Sequence, residues 1–318
     1  MKSIAALTAF VALVAAQSSS SSAATPTSTS NPLIPSGISQ GCSNYLSNLN
    51  SNSSFSACTA PIISATSAFA PGNTTATSSS AVGSALTALC AGDAFSSCPD
   101  SLIGSQLSDF YAACESELTS ASNTDVLRTY DVLYVLTPLR QAVCAKSDSG
   151  SYCATQMPSS SSVNVDIAIG SGKSDLQNYL YVNAPLSRRD NPVSALIPNT
   201  TTFASSNLVY LFLEPIMSSS DLCTTCTRNI LTPYISFESN RPYAPGLANS
   251  PLMSGQTDLY NAVQSTCGQS FLGGAVQAAG GISSGIGGGS NHAGRSATQN
   301  VGAAVAAILG ASALALAL

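Results

Sequence analysis

Tryptophan is absent, and the one histidine is His292. Without another imidazole, a Ser-His-Asp or Cys-His engine has no base in the rest of the chain, and common zinc sites lose their usual nitrogen ligand. The lack of tryptophan removes the best stacking platform for sugars, although eleven tyrosines can substitute in part. Charge is scarce too, at 8% of residues. Between Gln17 and Asn291, eight basic side chains stand against fifteen acidic ones, a net charge of −7. Such a mildly acidic, charge-poor surface argues against nucleic acid and anionic lipid as partners. No internal repeat of fixed period is found.

What is present concentrates at the two ends and in the cysteines. Met1 and Lys2 lead into an apolar run from Ile4 to Val14, broken only by Thr8 and closed by Ala15 and Ala16. One cation, a short apolar core and small residues at its exit match a secretory signal peptide, with cleavage expected after Ala16. A membrane span needs roughly 20 apolar residues, more than this run supplies. At the other end, Val301 to Leu318 carries no charge, behind a polar spacer, Gly294 to Asn300, and the small-residue set Gly287 to Ala293. That order is the one expected of a glycosylphosphatidylinositol (GPI) attachment signal. A retained span would carry Lys or Arg on its cytoplasmic flank, and none follows here. Asn291 is the expected attachment residue, with Gly289 and Ser290 as rivals.

Ten cysteines, Cys42, Cys58, Cys90, Cys98, Cys114, Cys144, Cys153, Cys223, Cys226 and Cys267, all lie between those ends. An even number in a chain that enters the oxidising secretory route reads as up to five disulfides. Pairing does not follow from order; Cys90 with Cys98 and Cys144 with Cys153 are sterically possible local loops. Sequons at Asn52, Asn73 and Asn199 each lie in a Ser/Thr-rich stretch where a glycan would be exposed.

The expected fold is mainly α: a disulfide-stapled helical domain over 41–272, with an irregular insert at about 157–206. A disordered Ser/Thr-rich arm, 17–40, precedes it; a Gly-rich tether, 273–291, follows, and then an attachment propeptide, 292–318. Ile103, Leu107, Phe110, Tyr111, Cys114 and Leu118 recur at steps of three and four and predict a helix over Pro99–Ser120. A second helix is predicted after Asn123 or Thr124, carrying Val126, Leu127, Tyr130, Leu133 and Tyr134, ended or bent by Pro138 before a further turn to Cys144. These two are read as an antiparallel pair. Leu208 to Ile216 should be ordered, Ser218 to Asp221 should cap a helix bearing Leu222, Cys226, Ile230 and Tyr234 with Pro233 distorting its end, and Thr257 to Cys267 should form a last short helix.

Chemistry-bearing motifs are few. Cys223-Thr224-Thr225-Cys226 has the spacing of a thiol oxidoreductase or half a zinc site, and it lies near a helix start, where the dipole lowers a thiol's pKa. No second CxxC completes a zinc site, and eight other cysteines point to both sulfurs bridging elsewhere. Glu115 and Glu117 stand two apart on a helix and face different ways; Asp109, Asp125, Asp131, Glu214 and Glu238 form no pair by sequence. Arg188-Arg189 offers a dibasic cleavage site within the insert.

Three segments carry a resemblance: CPDSLIGSQLSDFYAACESELTS from Cys98, DVLRTYDVLYVLTPLRQAVCAKSDSGSYC from Asp125, and DLCTTCTRNILTPYISFESNRPYAPGLANSPLMSGQTDLYNAVQSTCG from Asp221. They resemble a family of uncharacterised fungal cell-surface proteins, known as a domain of unknown function, over roughly Cys42 to Ala279. The resemblance implies a leader peptide and a GPI-type tail, and no established activity, cofactor or site residue. Three functions stay open: a non-catalytic surface or wall glycoprotein, held in the outer membrane leaflet by its lipid and in contact with wall polysaccharide; a wall-polysaccharide enzyme using two carboxylates in a groove lined by acids and tyrosines; and a binder of a small ligand, lipid or haem, in an enclosed apolar pocket.

Overall fold

The structure, a computed structural model, describes residues 34–66, 79–156, 181–185 and 194–273. The leader, the arm up to residue 33, the Asn73 sequon, Arg188-Arg189, the Gly-rich tether beyond 273 and the attachment positions Gly289, Ser290 and Asn291 lie outside the described residues.

Nine α-helices and one hairpin occur among the described residues: α1 (Gln40–Ser51), α2 (Ser56–Thr66), α3 (Ser79–Leu89), α4 (Asp100–Leu118), α5 (Thr124–Val143), β1 (Tyr181–Pro185), β2 (Ser194–Pro198), α6 (Thr200–Ser205), α7 (Ser219–Leu222), α8 (Thr225–Asn240) and α9 (Gln256–Cys267). The mainly α, disulfide-stapled class read from the sequence is the class observed. Helix α5 is the centre. Every residue from Tyr130 to Leu139 is buried, so the helix is covered on all sides. Helices α4 and α8 both pack on it, α1 packs on α4, and α2 packs on α3.

Local chemistry sets the helix starts. The Asn123 carboxamide oxygen accepts from the backbone N–H of Asp125 (3.0 Å) and Val126 (3.2 Å), filling two of the donors that α5 leaves unpaired at its first turn. Thr224 caps α8 in the same way, accepting from the Thr227 N–H at 3.1 Å. Ser39 caps α1, and its own N–H donates to Glu117 Oε1 at 2.6 Å, which ties α1 to the end of α4.

Three expectations are corrected. Of the two alternatives for Pro138, an end or a bend, the first is excluded: α5 runs through it to Val143, with Cys144 at its cap as expected. Pro233 likewise sits inside α8. Each proline forfeits one ladder hydrogen bond, a cost of about 3 kcal/mol offset by the burial of α5 on all sides and of one face of α8. The helix expected across Leu222 to Tyr234 is two pieces, because Cys223 and Thr224 leave helical geometry between α7 and α8.

The irregular insert contains an antiparallel hairpin, with Tyr181 opposite Pro198 and Pro185 opposite Ser194, followed by α6. Leu208 to Leu213 is ordered, as a short 3₁₀ turn over Leu208–Tyr210 that runs into irregular chain. Asn207, Leu211 and Phe212 all have positive φ (47°, 54° and 65°), a region leucine and phenylalanine rarely enter. The Asn207 carbonyl accepts from the N–H groups of Tyr210 (2.8 Å) and Phe212 (3.2 Å), and its side-chain amide donates to the Leu213 carbonyl at 2.9 Å. All six residues from Leu208 to Leu213 are buried, so burial of apolar side chains holds the strained backbone.

Candidate functional site

All ten cysteines pair, and none is free. The bridges are Cys42–Cys114, Cys58–Cys98, Cys90–Cys144, Cys153–Cys226 and Cys223–Cys267, with Cα–Cα distances of 4.6, 4.9, 5.5, 5.3 and 5.2 Å. The local loops Cys90–Cys98 and Cys144–Cys153 are therefore not formed. Helix packing overrides sequence proximity: Cys90 follows the last turn of α3 and meets the end of α5, and Cys98 precedes α4 and meets α2. Cys223 and Cys226 bridge to different partners, so the CxxC is neither a thiol pair nor a zinc half-site. Among the described residues, no group of three or more His, Cys, Asp or Glu side chains is placed to hold a metal ion.

Two of the three sequons fall within the described residues. The Asn52 side-chain oxygen accepts from the Ser54 N–H at 2.9 Å, and that of Asn199 accepts from the N–H groups of Thr201 (3.1 Å) and Thr202 (3.4 Å). Each bond occupies the carbonyl oxygen. The amide nitrogen, to which a glycan is joined, takes no part in it.

The most unusual chemistry is a tyrosine-rich cluster around two carboxyls. Asp131, 0% exposed on α5, accepts from the Tyr243 hydroxyl, the Ser250 hydroxyl (2.7 Å) and the Leu252 N–H (2.9 Å). Burial pushes its carboxyl up to about 7, against the pull of those three donors. Tyr243 stands edge-on to both Tyr130 (5.5 Å between centroids) and Tyr134 (5.1 Å), and Tyr134 donates to the Arg241 carbonyl at 2.5 Å. Around Asp131, then, the 241–252 segment is bound to the central helix by hydrogen bonds and edge-on ring contacts together.

Glu238, near the end of α8 and only half-buried, accepts from the Gln256 amide at 2.5 Å; the same amide nitrogen lies 2.8 Å from the Tyr260 hydroxyl. Burial pushes Glu238 up to about 7, and the Gln256 bond lowers it. Tyr234 donates to the Val209 carbonyl and meets Tyr210 edge-on at 4.8 Å, which holds the strained 207–212 segment against α8. The chemistry this arrangement offers is proton uptake near neutrality at two carboxyls. Three donors occupy Asp131, and it is closed to solvent, so it acts as a structural joint and not as an open acid.

Of the other acids, Glu117 takes the Ser39 N–H, and Asp125 pairs with Arg128 at 2.8 Å, a contact exposed on the Asp125 side and largely covered on the Arg128 side. Burial would raise the Glu117 carboxyl, but the Ser39 hydrogen bonds hold it below its ordinary value. Sequence reasoning placed Asp131 and Glu238 among unpaired acids and did not single out Tyr243, Ser250 or Gln256. One signal was available: Asp131 interrupts an apolar run from Tyr130 to Leu136 that would bury a helix all round, where a carboxylate must find donors or remain protonated.

Comparison with known proteins adds one match. Residues 25–170 match the model of a family described as Domain of unknown function (DUF7729). That stretch takes in α1 to α5 and three complete bridges, and it ends between Cys153 and its partner Cys226. No curated protein and no solved structure matches the chain.

Proposed function

We propose that the protein is an exported glycoprotein of the outer cell surface or cell wall, held in the outer membrane leaflet by a GPI lipid. It acts without catalysis, as a structural, adhesive or partner-binding component, in a fungal setting as the family resemblance implies. The observation that carries this reading is the pairing of all ten cysteines, because such a frame persists in oxidising compartments and is reduced in the cytosol. The leader-like run from Ile4 to Val14 and the charge-free run from Val301 to Leu318 agree with it. So do the hydrogen-bonded sequons at Asn52 and Asn199, which keep their amide nitrogens outside those bonds. Among the described residues no helix is long and apolar enough to cross a membrane.

The test is treatment of intact cells with a phosphatidylinositol-specific phospholipase. Release of the protein into the medium, with a mobility shift on removal of N-linked glycans, is the expected result. Full-length protein found reduced in the cytosol would end this reading. The carboxylate-enzyme alternative would need an accessible acid pair, and Asp131 is enclosed.

A further inference from the structure

The bridges follow one another along the chain in a way that no single pair reveals. Cys267 is bonded to Cys223; three residues on, Cys226 is bonded to Cys153; nine residues back, Cys144 is bonded to Cys90; eight residues on from there, Cys98 is bonded to Cys58; and 16 residues back lies Cys42. A covalent route from Cys42 to Cys267 therefore needs 36 residues of backbone and four bridges, where the chain itself takes 225 residues. Cys42–Cys114 adds a second arm of the same length, because Cys114 also lies 16 residues from Cys98.

We propose that these bridges form a serial strap that carries tension between the two flanks of the domain. Force applied ahead of Cys42 and behind Cys267 runs through sulfur and short backbone intervals. It goes around α5, around α8 beyond Cys226 and around most of α9, the helices that bury the tyrosine cluster. The interval 154–222, with the hairpin, the Asn199 sequon and Arg188-Arg189, hangs off the strap as a side loop, as does 59–89 with Asn73. Glycans or nicks can be placed there without entering the load path. The source of the tension rests on the surface-held reading above, whereas the strap itself rests on the bridges alone.

Redundancy along the strap is uneven, and this makes the proposal sharp. Losing Cys42–Cys114 or Cys58–Cys98 leaves the other 16-residue arm intact. Losing Cys90–Cys144 diverts the route along α5 from Cys114, six residues longer and one bridge shorter. Cys153–Cys226 and Cys223–Cys267 have no substitute. Without the first the route must run 70 residues from Cys153 to Cys223, and without the second 41 residues from Cys226 to Cys267.

The experiment is single-molecule pulling on the full chain, with ligation handles inserted ahead of residue 34 and behind residue 273. At about 3.3–3.6 Å per extended residue, plus about 2 nm across the four bridges, the oxidised span from Cys42 to Cys267 stops near 15 nm and the fully reduced span near 78 nm, so adding a dithiol reductant under load should release about 60 nm. The paired variant C153S/C226S should lengthen the oxidised limit by about 23 nm, C223S/C267S by about 13 nm, and C42S/C114S by less than about 1 nm. In-situ reduction of the unmodified chain reads the strap even where a variant fails to fold. An oxidised limit that reductant does not change, or a C42S/C114S gain as large as that of C153S/C226S, would overturn the strap. Neither result bears on whether phospholipase releases the protein from cells.

Discussion

Cys153 and Cys226 form the one bridge that crosses from the chain before residue 157 to the chain after residue 222. The other four close within Cys42–Cys144 or within Cys223–Cys267. A protease cut anywhere from 157 to 222, Arg188-Arg189 included, should leave two pieces that run together on a gel without reductant and separate with it. Separation without reductant would show that this bridge is not made.

Asp131 joins α5 to the 241–252 segment through three donors, and truncation leaves all three without an acceptor. Asp131→Ala should destabilise the domain by about 3 kcal/mol or more, and Tyr243→Phe, which removes one donor, by about 1–3 kcal/mol. The double variant should cost less than the sum, because the two side chains share one hydrogen bond. Urea unfolding of the oxidised protein measures all three.

Asp131 and Glu238 give a pH dependence of definite sign. Each has a folded value pushed up to about 7, above its value in an unfolded chain. The stability each contributes is fully present below about pH 4 and is lost as the pH rises through about 7. Thermal midpoints should fall between about pH 5 and pH 8, and Glu238→Gln should flatten that fall. Glu117, held low, works the opposite way: its contribution is present above the ordinary glutamate range and lost as the pH drops through its lowered folded value.

Two glycines face similar crowding with different consequences. A Cβ at Gly255 would lie 2.2 Å from Asn207 Oδ1, in a carboxamide fixed by its bond to Leu213; a Cβ at Gly104 would lie 1.8 Å from Arg241 Nη1, the far end of a flexible side chain. Gly255→Ala should cost about 1–3 kcal/mol. Gly104→Ala should stay within about 1 kcal/mol, because the guanidinium can swing aside, losing a 3.3 Å bond to the Asp100 carbonyl, and alanine favours the helix. Denaturant midpoints of the two variants decide it.

The sequence was legible where one apolar face recurs. Ile103, Leu107, Phe110, Cys114 and Leu118 mark α4 by spacing alone, and the structure adds only a local departure at Cys114. Helix α1 was missed because its apolar stripe is thin: Cys42, Leu46 and Leu49 are buried among serines and asparagines, and the helix depends on packing against α4 more than on propensity. Pro61, Pro138 and Pro233 all lie inside helices, against the local rule, because tertiary contacts outweigh one lost hydrogen bond. The hairpin escaped notice because its strands, YVNAP and SALIP, each end in proline and show no clear alternation. The site was legible only as an inventory of acids and tyrosines. Asp131 meets Tyr243 across 112 residues, a pairing that depends on how the 241–252 segment returns to α5.

The most direct test is a bridge map of the protein recovered from its cells, with thiols alkylated before lysis. Five cross-linked peptide pairs, Cys42–Cys114, Cys58–Cys98, Cys90–Cys144, Cys153–Cys226 and Cys223–Cys267, and no alkylated cysteine are the predicted result. Alkylated cysteines in the recovered protein, or a Cys223–Cys226 pair, would contradict the account.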